Sequence, residues 1–334
     1  MHALKTALWL FASLALSAQT RPVIPEHYYQ TFSHTNPVFQ HIKPGDIVVT
    51  KTLDSGGQDY RGEHLSPPSN PLNGPFYIEG ADAGDAILVH LRKVRLNRNS
   101  GYTAYRLGLF SLAPADIENL YPNHYKAGLV RQGRDNILPW DIDLAHNTVR
   151  LREPVSGKIK LEFPARPMLG CIGVAAPGDF APTSAPSGNY GGNLDYNEIG
   201  EGATVIFPVF HPGGLLYMGD GHAIMADGEP TGTGVETSMD VEFSVEIRKN
   251  ARVTGPRVEN ADYLISVGSQ PEFASSLDRA LQLATSDMVH WLVDDYQLEP
   301  WAAHQLIGAV GKYDVVTVAG SMALKVPRKY LTAK

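Results

Sequence analysis

Cysteine is nearly absent: Cys171 is the only one in 334 residues. An intrachain disulfide is therefore excluded, as are zinc and iron–sulfur centres built from several thiolates. A surplus of positive charge is missing too. The 28 Lys and Arg stand against 35 Asp and Glu, for a formal net charge of −7. No basic cluster offers the face that a nucleic-acid partner needs. Past the N-terminal stretch, no segment approaches the roughly 18 consecutive apolar residues of a membrane-spanning helix. A G-x-S-x-G motif is also lacking, which argues against a serine nucleophile on a strand-to-helix elbow. Hydrophobic residues make up 43% and charged residues 19%, so the main state is globular rather than disordered.

What the sequence has in quantity is glycine (32) and proline (24), the punctuation of short strands and turns. Residues 1–18 stand apart. His2 and Lys5 precede the apolar run Ala7–Leu16, and Ser17 and Ala18 follow. That order is the pattern of a secretory signal peptide, cut after Ser17 or Ala18. The run is too short to remain in a bilayer. The mature chain is thus expected in the periplasm or secreted, without a membrane anchor.

Residues 19–250 read as a β-rich body. Strands are expected at Asp46–Thr50, Ala86–Leu91 and Val241–Arg248, the last alternating apolar and polar with period two. Thr148–Leu151 and Lys158–Phe163 read as a hairpin around Glu153–Gly157. Thr204–Phe210 and Leu215–Met218 read as a second, around His211–Gly214. Residues 251–334 change character. Ser275–Leu298 carries Leu277, Ala280, Leu281, Leu283, Ala284, Met288, Leu292 and Val293 at helical spacing. A second helix is expected over Glu299–Val310, opened by Pro300 and closed by Gly311, with a strand at Val315–Val318. The fold class is mainly β: a β-sandwich or barrel-like body, completed by a small α/β C-terminal region.

The segment richest in chemistry runs from Met218 to Glu229. In an extended chain Asp220 and His222, two residues apart, point the same way. Asp227 and Glu229 return after a short bend. One imidazole and two or three carboxylates can hold a divalent ion, or work without one as a His–carboxylate acid/base pair. Gly219, Gly221 and Gly228 would let the backbone approach an ion or substrate. Asp-Gly is equally a common turn former. Asp54 and Asp59 lie just past a strand, Asn193 and Asp195 repeat the two-residue spacing, and Glu236 follows shortly after Glu229. The small-residue stretch Gly178–Gly192 is a candidate functional loop.

Five motifs together resemble the acetamidase/formamidase family. They are Asp54-Ser-Gly-Gly, the stretch Asn73 to Asp85, Gly170-Cys-Ile-Gly-Val-Ala-Ala-Pro177, Gly191-Gly-Asn-Leu-Asp195, and Gly219-Asp-Gly-His with Asp227-Gly-Glu229. The resemblance runs from about residue 40 to 330, with the motifs in a specific order. It implies hydrolysis of a short aliphatic amide to a carboxylate and ammonia. It also implies a sandwich-like body with a barrel-like portion and a homo-oligomeric state. The family's acidic and histidine positions fall here on Asp54, Asp195, Asp220, His222 and Glu229, with Glu236 as a further position. Family members are typically cytoplasmic, whereas this N-terminus reads as exported.

Amide hydrolysis needs a nucleophile, a polarised carbonyl and a proton for the leaving amine. A divalent ion, Zn or Ca, is the expected cofactor. Asp220, His222 and Asp54 are the expected ligands, with Asp195 as the alternative to Asp54. Glu229 is the expected general base, and His222 and Asp195 join it as catalytic residues. The backbone N–H groups of Gly191 and Gly192 are candidates for the oxyanion, and Asn193 and Glu236 for substrate contact. Two rivals stand beside this. One is an amidase with Cys171 as nucleophile, although its surroundings Met168-Leu-Gly-Cys-Ile-Gly are those of an inert buried thiol. The other is an exported β-sandwich module that binds a sugar or small polar ligand without catalysis, Tyr190 and Tyr196 supplying stacking faces.

Overall fold

Alternation along the strands decides what each face of this chain buries. A computed structural model describes residues 21–104, 111–116, 137–152, 158–269 and 276–331. The expected secretory segment 1–18, the Glu153–Gly157 turn and Ser275 lie outside the described residues. In chain order the strands begin with β1 (Gln40–Ile42), β2 (Val48–Lys51), β3 (Leu72–Ile78), β4 (Ala86–Leu96), β5 (Ser100–Ala104), β6 (Ile137–Asp143) and β7 (Thr148–Leu151). They continue with β8 (Glu162–Pro164), β9 (Met168–Gly173), β10 (Ser187–Gly188), β11 (Gly191–Asn193), β12 (Thr204–Pro208), β13 (Leu216–His222) and β14 (Glu236–Thr237). After β15 (Met239–Arg248), β16 (Arg257–Glu259) and β17 (Tyr263–Gly268) come the helices α1 (Leu277–Tyr296) and α2 (Pro300–Val310). The hairpin β18 (Lys312–Thr317) and β19 (Ser321–Pro327) follows. The protein is mainly β.

Two sheets form. One runs β10-β11-β9-β13-β14-β5-β6-β7-β8, with β3 also on β13 and β1 on β3. The other runs β18-β19-β17-β16-β12-β4-β15-β2. Among the named strand pairs only β1 with β3 is parallel. The main core lies between the sheets: Phe76, Ile172 and Met218 from the first meet Val89, Phe207 and Phe243 from the second. In β15, Val241, Phe243 and Val245 point into this core, while Glu242 and Glu246 face out. That is the period-two pattern of a strand with one wet face.

Strands β12, β17 and β19 bury both faces. Val205 and Phe207 join the main core, but Ile206 between them packs with Met288, Trp291 and Leu292 in a second cluster. Ile265 and Leu264 divide the same way, as do Ala323 and Leu324. The helices therefore cover the outside of this part of the second sheet, so these strands read as unbroken apolar runs. The described residues of 251–331 supply four strands of that sheet as well as α1 and α2.

Helix α1 starts where Ser276 accepts a hydrogen bond from Arg279 N, a side-chain cap for an orphan amide. Its buried stripe is Ala280, Ala284, Asp287, Met288, Trp291 and Leu292. Leu277 and Leu281, expected on that stripe, are exposed; they sit to one side of it. Helix α2 has Pro300 in its first turn and Gly311 as C-cap. Among the described residues no helix is long and apolar enough to cross a membrane.

One expected hairpin is not one. Thr204–Pro208 and Leu216–His222 lie in different sheets and do not pair. Gly213, Gly214 and Leu215 all have positive φ, at 78°, 63° and 56°. Three left-handed residues in a row swing the chain across the sandwich instead of folding it back. The hairpin of β7 with β8 does form.

Candidate active site

Strand β13 carries Asp220 and His222 into the middle of the first sheet. It is flanked by β9 on one edge and by β14 and β3 on the other. Asp195 enters just past β11, where Leu194 N and Asp195 N both donate to Gly170 O. Glu236 lies on β14 directly across from His222. Asp220 from the same strand, Asp195 from past β11 and Glu236 from β14 thus converge on one imidazole. His222 Nε2 stands 3.2 Å from Glu236 Oε1, 3.6 Å from Asp220 Oδ1 and 3.9 Å from Asp195 Oδ1. Glu229 joins from the following bend. Asp195, Asp220 and His222 can converge on one cation, and His222, Glu229 and Glu236 on one as well.

The four inner groups are at most 3% exposed. Even so, Asp195 Oδ1, Asp220 Oδ1, Glu236 Oε2 and both nitrogens of His222 have no hydrogen-bond partner. Buried polar atoms left bare cost roughly 1–3 kcal/mol each, and more for charged groups. Such a concentration in one place fits a bound cation, which would take the free oxygens and an imidazole nitrogen together.

The electrostatics agree. Burial pushes the Asp195 carboxyl well above its ordinary range, and the nearby charges of Glu229 and Asp220 add to this. Burial likewise raises Glu236 to about 8, against the opposing pull of His222. For His222, burial alone would lower the value, but the charges of Glu236 and Asp220 carry it well above the usual imidazole range.

The backbone bends to assemble the group. Asp195, Asp220 and Glu229 have φ of 44°, 55° and 46°, in the left-handed region that non-glycine residues seldom occupy. At Gly170 a Cβ would come within 2.5 Å of Asp195 Oδ1 and 2.7 Å of Asp220 Oδ2. The absent side chain is the space in which the two carboxylates meet. Gly219, Gly221 and Gly228, expected to admit an ion or substrate, instead admit neighbouring protein: Pro71 O, Met239 and Val318.

Other expected residues fall elsewhere. Asp54 is buried, but its Oδ2 accepts from Arg98 Nη2 at 2.6 Å and its Oδ1 from Gln58 N at 2.9 Å. Both oxygens are thereby committed, and it does not join the His222 group, whereas Asp195, its expected alternative, does. Asp227 is held by Asn197 Nδ2 at 2.6 Å. Gly191 and Gly192 lie in β11, which is paired on both edges, so their backbone belongs to the sheet rather than to an open oxyanion hole. Asn193 points at protein: its Nδ2 donates to Asp195 Oδ2, while its Oδ1 accepts from Cys171 Sγ at 2.9 Å and Asn70 Nδ2 at 3.2 Å.

Cys171 is thus a buried donor in a filled network. Burial, with Asp220 and Asp195 nearby, pushes its thiol well above the ordinary value, the reverse of an activated nucleophile. Tyr190 and Tyr196 are core residues: one tilts against Phe32, and the other donates to Asp314. Neither offers a stacking face.

The sequence reading missed Tyr102. It lies on β5 directly across from Glu236, and its hydroxyl meets Ser55 Oγ at 2.7 Å. Burial raises its phenol, and so do the charges of Glu236, Asp54 and Asp220. Nothing in the local sequence Ser100-Gly-Tyr-Thr-Ala104 marks it; only the strand register does.

Comparison with known proteins shows what this chain is similar to. The model of the acetamidase/formamidase family matches residues 174–280. The formamidase of Methylophilus methylotrophus is 28% identical over 259 residues, covering 64% of this chain and 62% of its own length. The acetamidase of Mycolicibacterium smegmatis is 25% identical over 243 residues, covering 60% and 59%. The chain therefore matches about three fifths of the length of these relatives. A crystal structure of acetamidase from Yersinia enterocolitica superposes with a TM-score of 0.74 at 26% identity, covering 95% of this chain and 96% of that one. The resemblance read from the motifs holds in sequence and in fold.

Proposed function

We propose that this chain, with its likeness to the acetamidase/formamidase family, hydrolyses short aliphatic amides such as formamide and acetamide to a carboxylate and ammonia. The observation that carries the reading is the set of buried, unpartnered oxygens of Asp195, Asp220 and Glu236 around the bare imidazole of His222. These residues fit a divalent cation, with Asp195, Asp220 and His222 as the holding set. Zinc suits the imidazole and calcium the oxygens. When bound, the cation supplies a water of lowered pKa and a Lewis acid for the carbonyl.

The protein's own groups do the rest. Glu229, half-buried at the edge of the group, accepts the proton of the attacking water as its oxygen bonds to the carbonyl carbon. The same carboxyl returns that proton to nitrogen as the carbon–nitrogen bond breaks. Glu236, against His222, fixes the imidazole. Asn193 holds one oxygen of Asp195 so that the other faces the group.

Ammonia release from formamide and acetamide tests this directly. The wild type is expected to turn over, and His222→Ala to lose turnover together with bound cation. Unchanged rate and cation content in that variant would contradict the reading. Cys171→Ser, which keeps a donor toward Asn193, is expected to retain turnover; its loss in a folded variant would favour the thiol nucleophile. The proposal extends to an exported homo-oligomer, read by periplasmic fractionation and by light scattering.

A further inference from the structure

We propose that Tyr102 is a further catalytic residue of this site, its hydroxyl donating a hydrogen bond to the oxygen of the substrate amide. This rests on the amidase reading above. Three observations on separate elements carry it.

The first is register. His222 on β13 pairs with Glu236 on β14, and Glu236 pairs with Tyr102 on β5. Directly opposed residues in antiparallel strands project from the same face of the sheet. His222, Glu236 and Tyr102 are therefore consecutive members of one cross-strand row, so Tyr102 extends the row that builds the site.

The second is exposure. Asp195, Asp220, His222 and Glu236 are buried, whereas Tyr102 and Glu229 are only half-buried. Among the described residues of the group, these two keep the most contact with solvent. Glu229 there is a carboxylate, so of these two only Tyr102 offers a neutral O–H donor to an amide oxygen, beside the Lewis acid a cation would supply. The backbone of Gly191 and Gly192 is occupied by its sheet partners.

The third is the seat of the hydroxyl. The Asp54-Ser-Gly-Gly motif wraps it: Ser55 Oγ lies 2.7 Å away, and a Cβ on Gly56 would come within 2.8 Å of it. Two hydroxyls share one hydrogen bond but own two protons. With Ser55 donating to the phenol oxygen, the phenol proton remains for the substrate. As water oxygen bonds to the carbonyl carbon, the carbonyl electron pair moves onto oxygen. Tyr102 keeps its proton and stabilises that charge. The motif expected to supply a cation ligand through Asp54 thus serves the site through its serine and glycine.

The test is steady-state kinetics of ammonia release for wild type, Tyr102→Phe and Gly56→Ala, with cation content and melting temperature measured on each. Loss of one preorganised donor typically lowers kcat by about 100-fold or more. Tyr102→Phe is expected to show that loss with KM little changed and with cation content and melting temperature retained. Gly56→Ala, which crowds the hydroxyl without removing it, is expected to lower kcat in the same direction and stands in should Tyr102→Phe not fold. A folded Tyr102→Phe with kcat within about twofold of an active wild type overturns this inference and leaves the amidase reading intact. A wild type that neither releases ammonia nor binds acetamide in calorimetry overturns both.

Discussion

Asp220 and His222 are two residues apart and were expected to face the same way; they do, but not through regular extended backbone. Asp220 is left-handed, and the free position at Gly170 lets its carboxylate lie beside that of Asp195. This gives a prediction that touches no ligand. Gly170→Ala is expected to abolish cation uptake and lower turnover at least tenfold, read by elemental analysis and ammonia release. Normal cation content in the folded variant would contradict the account of the space. Asp85, outside the site, makes a test of acid sensitivity. Its carboxylate accepts from Lys249 Nζ at 2.8 Å, Asp82 N at 2.9 Å and Asn250 N at 3.0 Å, and the Lys249 bond foremost holds its pKa below the ordinary carboxylate value. A depressed folded pKa stabilises above the unfolded value of about 3.9 and is lost as pH falls through the folded one. Asp85→Asn should therefore cost about 1–2 kcal/mol at neutral pH. The gap to wild type should close below about pH 4 in denaturant titrations. At this scale the sequence shows residue types and short spacings. It could not show that Asp54 is spent on Arg98, or that Tyr102 faces the site, because both follow from partners more than 40 residues away.

Elements were legible where a single periodicity ruled. The alternation of Val241–Arg248 and the capped C-terminal helices appear as expected, since one face of each meets a core and the other meets water. Reading failed at the turn His211–Gly214, where strand, glycines and strand look like a hairpin but the chain changes sheet. Local sequence gives the turn residues, not the sheet they lead to. On α1 the apolar spacing overreached: Leu277 and Leu281 are exposed, while Trp291 is buried against Arg257. Trp291→Ala is expected to destabilise the protein by about 3–5 kcal/mol. Leu281→Ala should stay within about 0.5 kcal/mol. Equal effects of the two in chemical denaturation would contradict the assigned helix face.

Across the whole molecule, the site is the product of topology. Asp195, Asp220, Glu229 and Glu236 belong to segments that the first sheet and its loops bring together, and the family motifs, rather than any local pattern, announced that they would meet. The packed cluster also sets how the cation-free protein answers to pH. Asp195, Glu236 and His222 all have raised folded pKa values. Groups raised in the folded state stabilise most below their unfolded pKa, and that stability is lost as pH rises through the folded value. For Glu236 the window runs from about 4.3 to about 8. Melting of the chelated protein should therefore fall across this range, and divalent cation should reverse the trend by replacing the protons. At a thousandfold excess over Kd the cation adds about 4 kcal/mol, a rise of several degrees. A chelated protein whose melting does not change with pH would count against the buried cluster.

The most direct measurement is ammonia release from formamide and acetamide by one purified sample as isolated, after chelation, and after return of zinc or calcium. The account predicts release that drops to background with the chelator and recovers with the ion. Release that persists undiminished in chelator, and in His222→Ala, would contradict it.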